Sequence, residues 1–387
     1  MPERIDLPQP AAPRVSVIIP AAGEPELLRA CLRSLAQNGP RRIPFETIVV
    51  LNALAMEAAE AAEVTPREAP GVRFVRPGVN LGLAGAGNRG RSLARGEFLV
   101  LLHDDAEVEP GWLEALVETA DRHPEAGAVG GKVLFPDGRL QNAGMILWRD
   151  GSTSPAWVGP APPASAFDRL RAVDYCGTSS LLVRAAAWDA AGGLDERFYP
   201  AYYVDVDLSL AIRRRGQVVL FDPRSQIRHR QGASGGGRFR VFVTLRNRRL
   251  LLEKWGKALE EHEPWEKGSP EAVERAMARA EAFAARVRQG GPASGPVPAR
   301  APLDPALQER RHLERELALH KAWAAELDVA LQMEVNWDVS AGRVETVLAS
   351  ELAELRARSA TLEAIERGRW WRLYQRLLPL FRRLRSL

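Results

Sequence analysis

The stretch Phe98-Leu99-Val100-Leu101-Leu102-His103-Asp104-Asp105-Ala106-Glu107-Val108-Glu109-Pro110 decides how the chain is read. Its first five residues are apolar with no helical periodicity, which predicts a strand buried on both faces. The strand runs out into paired carboxylates, and Pro110 marks the approach to a helix beginning near Trp112. Two aspartates at the carboxyl end of a buried strand repel each other unless something positive compensates. A divalent cation on oxygen ligands is an economical answer. The plainer alternative is an aspartate pair capping the next helix.

Working outward, Arg14–Pro20 reads as a buried strand stopped by proline, and Leu27, Leu28, Cys31, Leu32 and Leu35 fall at helical spacing after it. Phe45–Leu51 and Val72–Val75 read as a second and a third strand. Strands alternating with helices point to a doubly wound α/β sheet. Ligands of such sheets sit outside the carboxyl ends of the strands. That gathers Pro20 to Gly23, Leu51-Asn52, Asn80 to Gly90 and His103 to Asp105 around one crevice. The glycine-rich segment Asn80–Gly90 is expected to form a turn leading into a helix. It lacks the Gly-Lys-Ser/Thr of a phosphate loop, and it does not follow the first strand as a dinucleotide fingerprint does. Its small residues either let a helix approach the sheet or leave backbone room for a nucleotide-sugar.

Val15–Pro20, Asn80-Leu81-Gly82 with Asn88-Arg89-Gly90, and Leu101–Asp105 with Glu107 and Pro110-Gly111-Trp112-Leu113 together resemble family 2 glycosyltransferases of the GT-A fold, nearest to the rhamnosyltransferase-like branch. The likeness continues through Lys132–Gln141, Ala191–Phe198, Asp205–Leu210, His229 and Arg246-Asn247, and so covers roughly residues 13 to 255. It implies a nucleotide-sugar-binding, Rossmann-like mixed sheet followed by an α-helical, coiled-coil-patterned C-terminal region.

By position, the resemblance makes Asp105 a metal ligand, Asp104 a neighbour holding ribose and metal, and His229 a histidine near the diphosphate or metal. The cation would be Mn2+ or Mg2+, offsetting the charge that grows on the departing diphosphate. Asp205 falls where the family has its general base, with Asp207 as the alternative base. Pro20, Ala21, Ala22, Asn52, Asn80, Gly82 and Asn88 join Asp104 as expected donor-binding residues. Read from the residues alone, Asp205 and Asp207 lie in the first turn of a helix, where carboxylates also serve as caps.

Three positions depart from the family: Val204 where it has Glu, Leu51 where it has Asp, and Ala21-Ala22-Gly23 where it has bulkier residues. Two hypotheses therefore stand. One is a metal-dependent, inverting glycosyltransferase moving a sugar from a nucleoside diphosphate to a surface polysaccharide or lipid-linked glycan. The other is a catalytically weak or inactive GT-A scaffold that assembles glycan machinery through its helical tail.

After Trp255 the composition changes. Residues 256–299 read as a charged helix and a Gly/Pro linker. Within residues 300–366, Leu313, Leu317, His320, Ala324, Leu327 and Leu331, then Leu348, Leu352, Leu355, Ser359 and Leu362, alternate in steps of four and three. That pattern suits a coiled coil and a homo-oligomer, or two helices packing on the catalytic domain. Residues 367–387 interleave Trp370, Trp371 and Tyr374 with arginines and no acid, which suits an anionic bilayer surface. Docking on a partner is the alternative; no nucleic acid is expected, and the tail also resembles, over a short stretch, tails on bacterial surface-glycan glycosyltransferases.

The whole chain of 387 residues, 46% hydrophobic and 26% charged, is globular and long enough for more than one domain. Cys31 and Cys176 give neither a disulfide framework nor metal-ligand spacing, so a reducing compartment is expected. No apolar run is long enough to span a bilayer, and Met1–Pro13 lacks the apolar core of a signal peptide. The expected location is cytoplasmic, peripheral at the inner face of the cytoplasmic membrane. The net charge of +4 says little about partners.

Overall fold

A computed structural model describes residues 4–22, 25–52, 64–160, 162–163, 167–230, 237–290 and 305–335. The first half alternates as the apolar runs require: β1 (Val15–Ala21), α1 (Pro25–Asn38), β2 (Phe45–Leu51), β3 (Val72–Val75), α2 (Gly82–Arg91), β4 (Phe98–Leu102), β5 (Ala106–Val108) and α3 (Trp112–Arg122). Then come β6 (Ala126–Leu134), β7 (Leu140–Asn142), β8 (Met145–Leu147), β9 (Thr153–Pro155), β10 (Arg171–Val173) and β11 (Ser180–Arg184). The remainder is α4 (Ala185–Ala191), a 3-10 turn at Glu196–Phe198, α5 (Val204–Arg214), β12 (Val218–His229), α6 (Gly237–Leu259), α7 (Pro270–Arg288) and α8 (Pro305–Val335).

The main sheet runs β10-β12-β6-β11-β4-β1-β2-β3, with β5 added on β12 and β7 on β6. β4, β1, β2 and β3 are mutually parallel, as the alternation predicts. β11 is antiparallel to both of its neighbours, β4 and β6. The sheet is therefore mixed, as the resemblance implies: β4, β1, β2 and β3 form one parallel block, and β6 and β12 pair in parallel on the far side of β11. β8 and β9 form a separate hairpin.

β4 is buried on both faces. Phe98, Val100 and Leu102 join the core beneath α1 and α3, while Leu99 and Leu101 join the core beneath α4 and α5. The glycine-rich segment is α2 itself rather than a turn before it. A Cβ on Gly90 would lie 2.3 Å from Cγ2 of Ile18, and one on Gly87 would lie 2.7 Å from Cδ1 of Leu194. Those two glycines let the helix sit down on the sheet, which is the packing role rather than the nucleotide role.

The compact first unit extends from Met1 to Gln308 and includes α6 and α7. α7 is held against the sheet: Ala284 lies in the main core, and Arg279 joins Arg213 on the buried Asp174 at 2.6 Å each. A charged helix thus packs as part of the domain because its charges meet buried partners. The second unit, Glu309–Leu387, contributes most of α8 to the described residues. The leucine run from Leu348 to Leu362, the linker from residue 291 and the basic tail 367–387 lie outside those residues. Among the described residues no helix is long and apolar enough to cross a membrane.

Candidate active site

β4 ends at Leu102, and the chain turns through His103, Asp104 and Asp105 into β5, closed by the Ala106 amide donating to the His103 carbonyl at 3.2 Å. β5 pairs antiparallel with the far end of β12, which sets His229 opposite Ala106. The Arg230 amide then donates to the Asp105 carbonyl at 3.1 Å. This pairing carries His229 to Asp105: His229 Nε2 lies 3.1 Å from Asp105 Oδ1, with His103 Nδ1 3.9 Å from the same oxygen. The two imidazoles approach to 3.3 Å, Nδ1 of His103 to Nε2 of His229.

His103, Asp105 and His229 offer ligand atoms within 4.8 Å of one another, a set able to hold a metal ion. Their side chains are 29%, 12% and 11% exposed, so the cluster is shielded yet reachable from solvent. Burial, with the charge of His229, pushes His103 down to about 4, which keeps its ring neutral and available as a donor. Burial alone would raise Asp105, but its hydrogen bond to His229 and the charge of that ring hold it below the usual carboxylate range. Two imidazoles and a carboxylate are a fitting donor set for a divalent cation.

Asp104 lies outside that trio. Its Oδ2 accepts the Ala22 amide at 2.9 Å, tying the end of β1 to the end of β4. His103, which the sequence reading did not single out, stands with Asp105 and His229 in the cluster. The signal for it stood inside the opening stretch, a histidine two residues before Asp105.

The antiparallel course of β11 brings its amino end to the carboxyl end of β4, with Ser180 opposite Leu102. Gly177, Thr178 and Ser179 therefore border the crevice. The Thr178 hydroxyl lies 3.2 Å from His103 Nε2, and the Thr178 amide donates to the Asp205 carboxylate. One residue thus links the metal-competent cluster to the carboxylate in the first turn of α5. Asp205 is half-buried, and burial raises it to about 6, with the amides of Val206 and Thr178 partly opposing. A Cβ built on Gly177 would stand 3.7 Å from Asp205 Oδ2, 3.7 Å from Asn142 Nδ2 and 3.9 Å from Ser179 Oγ. These polar groups converge on the space that Gly177 leaves open.

Asp207, two residues on, meets different partners. It is 2% exposed, and its Oδ1 accepts from Trp255 Nε1 and Lys254 Nζ at 2.7 Å each. Burial raises it despite the Lys254 charge. Val204, at the position where the family has Glu, is 1% exposed in the core.

The expected donor-side residues fall into two groups. Pro20 and Ala21 close β1 against Val50 and Leu51, and Ala22 meets Asp104 at the crevice. Asn52, Asn80, Gly82 and Asn88 instead build backbone. Asn52 bonds the Leu81 amide and the Gly82 carbonyl at 2.6 and 3.2 Å, and Asn80 accepts the Gly82 amide at 2.9 Å. Asn88 clamps both the amide and the carbonyl of Leu194 at 2.9 Å.

Just before α5, Tyr202 and Tyr203 both adopt left-handed backbone, φ 69° and 67°. The Asn247 amide donates to the carbonyls of Phe198, Ala201 and Tyr202, and Tyr203 Oη donates to the Gly151 carbonyl at 2.9 Å. Strain of this kind persists where surrounding bonds over-determine it, and such places cluster at functional sites.

Comparison with known proteins follows the same residues. The family model described as glycosyl transferase family 2 matches residues 16–190. Uncharacterized protein y4gI of Sinorhizobium fredii is 32% identical over 238 residues, 59% of this chain and 26% of that protein. The O-antigen biosynthesis protein RfbC of Myxococcus xanthus is 33% identical over 247 residues, 60% of this chain and 18% of that one. The N-acetylglucosaminyl-diphospho-decaprenol L-rhamnosyltransferase of Mycobacterium tuberculosis is 30% identical over 191 residues, 43% of this chain and 61% of the relative. The chain spans less than two thirds of the length of each of these relatives. The stretch that matches the glycosyl transferase family 2 model, residues 16–190, includes most of β1, all of β4 and the His103–Asp105 turn, and the chain is similar to that family there.

Proposed function

We propose that the protein is an inverting GT-A glycosyltransferase. It would move a sugar from a nucleoside-diphosphate donor to a hydroxyl of a surface polysaccharide or lipid-linked glycan. The observation that carries this reading is Asp205, a carboxyl held near pH 6 and joined through Thr178 to the His103-Asp105-His229 cluster. A general base works best with a pKa near the working pH, and burial supplies that here. Asp205 takes the acceptor hydroxyl's proton as its oxygen attacks the anomeric carbon and the bond to the diphosphate breaks. One such displacement inverts the anomeric centre and needs no enzyme nucleophile.

Asp105, His229 and His103 would hold Mn2+ or Mg2+; when bound, that ion supplies positive charge against the leaving diphosphate. Asp104 fixes the Ala22 backbone beside it. The surface-glycan acceptor is supported by the O-antigen and decaprenol-linked relatives, and an inner-membrane location by that acceptor class. The membrane-bound tail and oligomerisation through residues 300–366 remain part of the proposal on the sequence pattern alone.

Nucleotide release by the full-length protein, with Mn2+ and a panel of nucleotide-sugars, tests the reading. Turnover of at least one donor that disappears in Asp105→Ala supports it. A wild type and an Asp105→Ala variant equally inert toward every donor would leave the scaffold alternative standing.

A further inference from the structure

The rings of His103 and His229 are each held from behind. Gln141, on β7, bonds His229 twice: its Nε2 donates to the His229 carbonyl at 3.2 Å, and its Oε1 lies 2.7 Å from Nδ1. The first bond fixes which end of the amide faces the ring. Oε1 can only accept, so Nδ1 of His229 carries a proton, and Nε2 is the nitrogen a cation would take in place of its hydrogen bond to Asp105. On the other side the Thr178 hydroxyl lies 3.2 Å from His103 Nε2 and can accept its proton, which leaves Nδ1 with its lone pair 3.9 Å from the same oxygen. With a cation in place of the proton on His229 Nε2, the two ring nitrogens and Asp105 Oδ1 would converge as three electron-pair donors.

We propose that Gln141 and Thr178 are positioning residues that hold His229 and His103 as a pair of nitrogen donors beside Asp105, so that the site takes a first-row transition cation in preference to Mg2+. This rests on the reading of the cluster as a cation site. Mg2+ favours oxygen ligands in a strict octahedron and dehydrates reluctantly, whereas imidazole suits first-row transition cations. A site of two aspartates and one histidine, as Asp104, Asp105 and His229 would make, lacks that bias. Outer-shell partners that fix a ring's tautomer typically account for 10- to 100-fold in metal affinity. His103 itself is exposed enough to receive an ion yet fastened at its far nitrogen, which is what a preformed ligand requires.

The test measures binding by the full-length protein, not turnover. Mn2+ is titrated and followed by electron paramagnetic resonance, Mg2+ and Co2+ are added as competitors, and pulsed spectra count the nitrogens coupled to bound Mn2+. Wild type is expected to show two nitrogens, with Co2+ displacing Mn2+ readily and Mg2+ only at about 100-fold excess. Gln141→Met should weaken Mn2+ binding about 10- to 100-fold and remove one nitrogen coupling. Mg2+ affinity should shift by less than about threefold, because Mg2+ draws little on the rings. Gln141→Glu, which still accepts from Nδ1, should restore both readouts. Thr178→Val tests His103 in the same way and carries the experiment if melting shows Gln141→Met to be misfolded. One nitrogen or none in wild type, Mg2+ competing at equal concentration, or wild-type Mn2+ binding in both variants would overturn the inference. A wild type that binds no divalent cation overturns the cation reading as well, a result distinct from binding without selectivity.

Discussion

The crevice has two walls, and they are built by different means. One wall comes from the ends of β1 and β4, parallel neighbours contributed by the first hundred or so residues. The other comes from β11, β12, β7 and the first turn of α5, brought in by antiparallel pairings and by contacts such as His103 to His229, 126 residues apart. The first wall supplies Ala22, His103, Asp104 and Asp105, and the second supplies Thr178, Gly177, Asn142, Gln141, Asp205 and His229. A cation held by Asp105 and His229 would draw on both walls, whereas the proposed base, Asp205, belongs to the second alone. The comparison teaches that the first wall follows from local strand ends, while the second depends on long-range pairing.

The largest effect should come from cutting the junction of the walls. Asp105→Ala is expected to lower nucleotide release about 1000-fold or more, since it removes the oxygen on which both rings converge. A loss below tenfold would mean that the two walls do not share an ion.

Next comes the second wall by itself. Asp205→Asn is expected to lower transfer about 100-fold or more. Wild-type turnover should rise with pH through about 6, because Asp205 must lose its proton to act as base. The stability effect has the opposite sign. A carboxyl raised above its unfolded value favours the protonated folded state, so its contribution is present below about pH 4 and is lost as pH rises through about 6. Asp205→Asn should therefore melt higher than wild type at pH 8, by up to about 3 kcal/mol of stability, and no higher at pH 4. Thermal melts at the two pH values decide it.

A smaller effect is expected at the space between the second-wall groups. Gly177→Ala places its methyl at ordinary contact distance from Asp205, Asn142 and Ser179. The melting temperature should hold while the acceptor KM rises about tenfold, the size of a lost pocket contact. An unchanged acceptor KM would show that the acceptor lies elsewhere.

Asp207→Asn should affect catalysis least, with turnover reduced less than about threefold, while stability falls by about 1–3 kcal/mol through the weakened bond to Lys254, which keeps its pair with Asp195. Collapse of turnover in this variant, with Asp205→Asn still active, would exchange the roles of the two carboxylates.

Legibility in the sequence divides along the same line. The apolar runs Phe98–Leu102 and Ile48–Leu51 are of strand length and lack helical spacing, so the β4-to-β3 block of the sheet could be read directly. Asp105 at a strand end, and Asp205 and Asp207 in a first turn, could be read as well. Which of those two carboxylates faces the crevice could not, because both have the same local signature and only Trp255 and Lys254, some fifty residues on, claim Asp207. Asn52 and Asn88 had the right residue type for ligand contact, yet the backbone of neighbouring segments takes up their amides.

By itself, then, the sequence determined the strands, the helix starts and the residue types at the strand ends, because burial period and capping chemistry are local. The tertiary structure alone decided that His103 and His229 stand together at Asp105, that Gln141 and Thr178 bond the far nitrogens of the two rings, and that Trp255 and Lys254 bond Asp207. The cluster and its two partners follow from the antiparallel insertion of β11, the pairing of β5 with β12 and the pairing of β7 with β6. Hydrogen bonds between strands far apart in the chain carry no local pattern from which they could be read.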